Sequence, residues 1–178
     1  FYSMIIGNTV HFIHLAYPTN IVTDIRNYNH FNPKELNPIL KLAICEDNPS
    51  HYEIIHTILQ KYPPGAFEIT HFASGDEFLR AAAENGCPYS IVLTDIDLGS
   101  DAVNGISLAE KINHISPDTQ IIFISQYLQY ATAVYETEHA YFIHKQQMEK
   151  YLPLALRAAC QKLQKLHTRY LYFSGNSR

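Results

Sequence analysis

Long apolar runs are missing from this chain. No stretch approaches the roughly 18 residues that a bilayer-spanning helix needs, and no basic residues precede the first apolar positions as they would in a signal peptide. Charge is scarce too: 17% of the 178 residues are charged, and 13 Lys and Arg stand against 17 Asp and Glu. A formal net charge of -4 offers no basic surface on which to expect nucleic acid or an anionic membrane. Cysteine is limited to Cys45, Cys87 and Cys160, odd in number, widely spaced and without a CxxC pair. That excludes a disulfide framework and points to reduced thiols. Internal repeats and low-complexity tracts are absent. What remains is the expectation of a soluble, cytoplasmic globular protein, with 47% hydrophobic residues to build a sizeable core.

Residues 1–38 are rich in Asn, His and Tyr, with three prolines and few charges. The alternating run Asn8 to Leu15 could be a strand, and no function attaches to this extension. From Ile39 the pattern becomes regular. ILKLAIC reads as a buried strand ending in Glu46-Asp47, followed by a helix from Pro49 to Tyr62 that Pro63-Pro64-Gly65 stops. AFEITHFA is a second strand, and Ser74 to Glu77 forms a capping box for a helix to about Asn85. IVLT leads to Asp95 as a third strand, and GISLAEKINHI is a helix. Strand TQIIFIS, helix YLQYATAVYET, strand AYFIH and a long helix from about Met148 to Leu166 complete the series. Strands alternating with helices at this spacing predict an α/β fold with a parallel sheet covered on both faces.

Four of these strands end in polar groups: Glu46-Asp47, Asp95, Ser125 and Lys145. In a doubly wound sheet ordered 2-1-3-4-5 these ends lie side by side at the carboxyl edge, where open α/β sheets place their chemistry. Surface carboxylates at loop starts are common, but four matches at four strand ends are hard to obtain by accident. Three neighbouring carboxylates repel one another and call for a hard divalent cation, and Mg2+ suits oxygen ligands that leave it several waters. Glu46, Asp47 and Asp95 could supply side-chain oxygens, and Asp97 its main-chain carbonyl. Asp95 would then attack phosphorus in line, Lys145 would hold a phosphoryl oxygen, and Ser125 would donate its hydroxyl to another.

The motifs LKLAICEDN, YSIVLTDIDLG…NGISLAEKI, TQIIFIS and YFIHK together resemble the receiver domain of bacterial two-component response regulators, over about 130 residues from Ile39 to about Leu166. The resemblance implies a flavodoxin-like fold and a phosphoryl group passed from a sensor histidine kinase to Asp95. By motif position Glu46 and Asp47 become the metal-binding acidic pair, Lys145 the phosphate-contacting lysine, Ser125 the hydroxyl switch residue and Phe142 the aromatic switch residue. Such a domain is not an enzyme in the ordinary sense; it catalyses its own phosphorylation and slow dephosphorylation only. Three positions depart from the family pattern. Gln146 stands where a proline usually follows the lysine, Gly99 stands where a proline is common in a loop about two residues longer than usual, and Phe142 carries no hydroxyl. The tail, His167-Thr168-Arg169 followed by YLYFSGNSR, resembles the linker and first strand of LytTR-type regulators. Residues 167–178 would then lead to a DNA-binding domain outside this chain, with altered dimerisation or domain release as the output.

Two other readings compete. The Asp95-Ile96-Asp97 pattern resembles haloacid dehalogenase phosphatases, in which the second Asp is an acid-base group, but there the acidic pair comes late in the chain and here it comes first. A pseudo-receiver that binds partners without phosphorylation would not need the full constellation. His51, His56, His71, His139 and His144 show no paired metal-ligand spacing and read as surface or packing residues. Of Tyr127, Tyr130 and Tyr135, at least one is expected on a partner face.

Overall fold

The computed structural model describes residues 3–6, 9–12, 39–99 and 103–175. The chain divides into two compact units, Phe1–Phe31 and Asn32–Arg178. In the first, β1 (Ser3–Ile6) and β2 (Thr9–Phe12) pair antiparallel. β2 falls within the alternating run predicted from Asn8 to Leu15, of which Asn8 and residues 13–15 lie outside the described residues.

The second unit is a five-stranded parallel sheet of β3 (Leu40–Cys45), β4 (Phe67–Phe72), β5 (Ile91–Thr94), β6 (Gln120–Ser125) and β7 (Tyr141–His144), in the order β4-β3-β5-β6-β7. This is the predicted 2-1-3-4-5 arrangement. The interior strands β5 and β6 are buried along their whole length, because helices cover both faces and leave no polar side to alternate. Ala43, Cys45, Val92, Ile121 and Phe123 point to one face and pack with Phe78 and Ala82 of α2 (Gly75–Asn85) and Leu108 and Ile112 of α3 (Gly105–Ile115). Helices α1 (Pro49–Leu59) and α4 (Met148–Gly175) pack together, and α4 also meets β6 and β7. Each fully buried Leu, Ile or Phe contributes about 1.5–3 kcal/mol, which is what fixes the strand register and therefore the strand ends.

Helix starts are set by side-chain caps. Asn48 accepts from the amides of Ser50 (2.9 Å) and His51 (3.4 Å), with Pro49 at the first helical position. Ser74 accepts from Glu77 N at 3.2 Å, and the Glu77 carboxylate reaches back to Ala73 N at 2.8 Å. Asn104 accepts from Ser107 N at 2.9 Å.

Two expectations are corrected. The segment YLQYATAVYET is not an α-helix but two 3-10 turns, Leu128–Ala131 and Ala133–Glu136. Neither start carries a side-chain cap, and the i, i+3 spacing of Tyr127 and Tyr130, whose rings meet edge-on at 5.9 Å, suits a 3-10 turn as well as an α-helix. The strand expected in YLYFSGNSR is replaced over residues 170–175 by the continuation of α4, and residues 176–178 lie outside the described residues. Extending an existing helix gains one hydrogen bond per residue fixed, whereas a strand there would need a partner. Among the described residues no helix is long and apolar enough to cross a membrane.

Candidate functional site

The site grows from register. Asp95 N donates to Cys45 O at 2.9 Å, so the residue after β5 lies beside the residues after β3. Glu46 and Asp95 are buried, at 1% and 5% exposure, while Asp47 is exposed. Asp95 Oδ1 accepts from the amides of Ile96 (2.7 Å) and Asp97 (3.3 Å), which fixes the carboxylate plane. Asp95 Oδ2 accepts from Lys145 Nζ at 2.6 Å. The same ammonium donates to Glu46 Oε1 at 3.0 Å and lies 2.9 Å from Oε2. Lys145 directly follows β7 and opens a 3-10 turn, Lys145–Gln147, that leads into α4.

Burial raises the Asp95 pKa above the ordinary carboxylate value. The hydrogen bond and charge of Lys145 oppose that rise, and the Glu46 carboxylate adds to it. Lys145 and the Asp97 amide thus offset part of a rise that burial dominates.

Ligand atoms of Glu46, Asp47 and Asp95 lie within 4.8 Å of one another. Glu46 Oε2 is buried, with the Lys145 ammonium 2.9 Å away as its ion-pair partner and no hydrogen bond of good geometry. Three hard oxygen donors, one of them on the exposed side, fit a divalent cation that keeps part of its water shell. Two glycines maintain this geometry. Gly99 has φ +64°, and a Cβ there would lie 2.7 Å from Asp47 Oδ2. Proline, fixed at negative φ, could not take that place, which accounts for one departure from the family pattern. At Gly105 a Cβ would overlap the Asp95 carbonyl oxygen and Ile96 Cα, so α3 starts directly against the backbone that carries Asp95.

A cavity of about 180 Å³ opens here, with Asp47, Asp95, Asp97, Gly99 and Lys145 in its wall. Asn48, His51 and Gln126 complete the lining, and none was foreseen as a site residue. Their signal lay in position: Asn48 and His51 begin α1 just beyond the acidic pair, and Gln126 follows the β6 end. His71 was also read as packing, yet its Nε2 is 2.8 Å from the Glu46 carbonyl oxygen, and its ring stacks on Tyr52 at 4.1 Å. A larger cavity of about 310 Å³ lies at the other end of the sheet, by Thr119, Glu138 and Lys162; it holds no carboxylate cluster and is not the centre of the chemistry.

Ser125 and Phe142 are not brought into the cavity. Ser125 is fully buried and its Oγ accepts from Tyr127 N at 3.2 Å. Phe142 lies opposite Phe123 in the β6–β7 register and packs half-buried against the core. Ser100 and Asp101 of the Asp95 loop lie outside the described residues.

Comparison with known proteins places these features. Residues 42–157 match the family model of the response regulator receiver domain. Accessory gene regulator protein A of Staphylococcus aureus is 32% identical over 111 residues, 60% of this chain and 46% of the relative. The chain therefore spans about half the length of that relative. Response regulator receiver protein CpdR of Brucella abortus is 29% identical over 85 residues, 48% of this chain and 65% of that protein. Among solved structures, a response regulator receiver domain protein from Clostridium thermocellum superposes with a TM-score of 0.59 at 20% identity, covering 71% of this chain and 98% of the other. The response regulator TrrA of Thermotoga maritima, solved in complex with Mg(2+)-BeF, superposes at 0.57 and 20% identity, covering 67% and 98%. These two similarities concern the fold alone.

Proposed function

The chain belongs to the response regulator receiver domain family, and on that premise we propose that Asp95 accepts a phosphoryl group from a sensor histidine kinase and stores it as a signal. The observation that carries this reading is Lys145 Nζ at 2.6 Å from Asp95 Oδ2 beside the carboxylates of Glu46 and Asp47. Oδ1 is tied to two backbone amides, so Oδ2 is the oxygen to attack phosphorus. A P–O bond forms as the P–N bond to the kinase imidazole breaks, and the ring leaves with the electron pair. Lys145 moves from Oδ2 to a phosphoryl oxygen, following the charge. Glu46, Asp47 and Asp95, with the main-chain carbonyl of Asp97, would hold Mg2+, which when bound supplies neutralising charge for the incoming phosphoryl oxygens.

The modification adds about -1.5 to -2 charges and three acceptor oxygens. Ser125 turns its hydroxyl toward one of them, giving up its bond with Tyr127 N, and Phe142 and the 3-10 segments repack. The receiver spans residues 39–166, residues 1–38 are an extension, and 167–178 are the linker, whose helical course to Gly175 suits a relay to an output domain. The resemblance to LytTR-type receivers, and a gene regulator by name among the relatives, support DNA binding as that output, exerted by a domain outside this chain in a cytoplasmic, dimerising regulator.

The test is incubation with Mg2+ and a small phosphoryl donor, followed by mass measurement. An acid-labile adduct of about 80 Da is expected from the mass of a phosphoryl group. Its persistence in Asp95→Asn would remove Asp95 as the acceptor.

A further inference from the structure

Lys145 has three N–H bonds to give and no capacity to accept. Asp95 Oδ2 takes one at 2.6 Å, and Glu46 takes a second at 3.0 Å. The third lies against an imidazole: His51 Nδ1 is 2.8 Å from Lys145 Nζ. That nitrogen is also 3.2 Å from Glu46 Oε1. It cannot accept from the ammonium and donate to the carboxylate at once, since a ring nitrogen either carries a proton or offers a lone pair. The shorter contact is the one to the donor-only lysine, so Nδ1 accepts and the ring proton sits on Nε2. The Lys145 cation then lies between two acceptors, His51 Nδ1 and Glu46 Oε1, and offsets their mutual repulsion.

The backbone explains how His51 comes to be there. It is the third residue of α1, and its amide is held by the Asn48 cap at 3.4 Å. Side chains in a first helical turn lean back toward the N-terminus, which here means over Glu46. The imidazole is 30% exposed while the Lys145 side chain is 7% exposed, so the ring forms the outer wall of the cavity and the lysine lies behind it.

We infer that His51 is a positioning residue that, with Glu46, clamps the Lys145 ammonium so that its remaining N–H is aimed at Asp95. This rests on the phosphoacceptor reading for its purpose, but the clamp exists in the unphosphorylated protein. When the phosphoryl group arrives, His51 and Glu46 keep two of the three donors, and the third passes from Asp95 Oδ2 to a phosphoryl oxygen without a search through side-chain rotamers. Lysine is a flexible point charge, and His51 supplies the direction that the side chain itself lacks.

The experiment compares the full chain with His51→Ala and His51→Asn, because Asn Oδ1 can occupy the place of the imidazole Nδ1 as an acceptor. In nuclear magnetic resonance of the unphosphorylated protein, His51 should show an unprotonated Nδ1 and a protonated Nε2. The Lys145 ammonium, identified by its loss in Lys145→Met, should give a resolved 1H–15N signal that disappears in His51→Ala and returns in His51→Asn. Adduct formation with the small phosphoryl donor should slow about tenfold in His51→Ala, the order expected for one lost charge-assisted hydrogen bond, and recover in His51→Asn. A protonated Nδ1, or a Lys145 signal indifferent to His51→Ala, would overturn the clamp. Failure of the wild-type chain to form any adduct would sink the phosphoacceptor reading instead, while the resonance data would still decide this one.

Discussion

Replacing Lys145 by Met tests the electrostatic arrangement of the site directly. The lysine side chain is 7% exposed, Glu46 1% and Asp95 6%. Methionine fills a similar volume, so the change removes charge more than packing. One cation and two anions become two largely buried anions facing each other. Breaking a buried pair by removing one partner costs about 3–5 kcal/mol, a large share of the roughly 5–15 kcal/mol that holds a domain folded. At about 2–4 °C per kcal/mol for a chain of this size, the melting temperature should fall by about 6–20 °C near neutral pH.

The same substitution sharpens the pH dependence. Burial and Glu46 both push the Asp95 pKa up, and Lys145 pulls it down twice, by hydrogen bond and by charge. Without Lys145 the folded value rises further above the unfolded one. A group so shifted contributes stability that is complete below its unfolded pKa and is lost as pH rises through its folded pKa. Lys145→Met should therefore lose more at about pH 7.5 than at about pH 5. Calorimetric melting of wild type, Lys145→Met, Asp95→Asn and the double variant closes a thermodynamic cycle. Asp95→Asn should rescue much of the lysine loss, giving a coupling above about 1.5 kcal/mol. A melting loss under about 2 °C, or a coupling within about 0.5 kcal/mol of zero, would refute a lysine that neutralises buried charge.

Asp95→Asn alone should raise the urea midpoint near neutral pH, because the folded environment disfavours the carboxylate. The gain should narrow as pH falls through the raised pKa and the wild-type carboxyl takes up its proton; a pH-independent difference would contradict the shift. Asp47→Ala should weaken Mg2+ binding, measured by titration calorimetry, by at least about tenfold, since it removes the exposed member of the carboxylate cluster. Unchanged affinity would remove Asp47 from the metal site.

The strands were legible because interior strands of a parallel sheet read as nearly continuous apolar runs, and ILKLAIC, broken only by Lys41, IVLT and the IIFI of TQIIFIS do. Glu46, Asp47, Asp95 and Lys145 were legible because each interrupts such a run at its carboxyl end. His51 was not, since it lies inside a helix where period alone cannot say which first-turn side chain leans over the strand ends. Gln126 was not legible because a lone polar residue just past a strand end does not reveal which way it faces; Ser125 is fully buried, whereas Gln126 lines the cavity. The 3-10 turns after β6 and the helical tail both turn on local competition. Apolar spacing at i, i+3 serves two helix types, and an alternating segment attached to a long helix can simply continue it.

That local competition also bears on where a switch can act. β6 is buried from Gln120 to Ser125, so moving the strand would disrupt the core. Immediately after it, the chain has uncapped 3-10 turns with Leu128 56% and Tyr135 57% exposed. Their hydrogen bonds have poorer geometry than those of an α-helix, and the Tyr127 amide is held by Ser125 Oγ at 3.2 Å. A hydroxyl recruited to a phosphoryl oxygen would release that amide, which loosens the first turn at a cost of about 0.5–1.5 kcal/mol, the net worth of one neutral hydrogen bond. The new charge-assisted bond is worth about 1.5–3 kcal/mol and exceeds it. The balance favours rearrangement of residues 126–136 over any movement of the sheet, and it places the exposed tyrosines on the surface that would change.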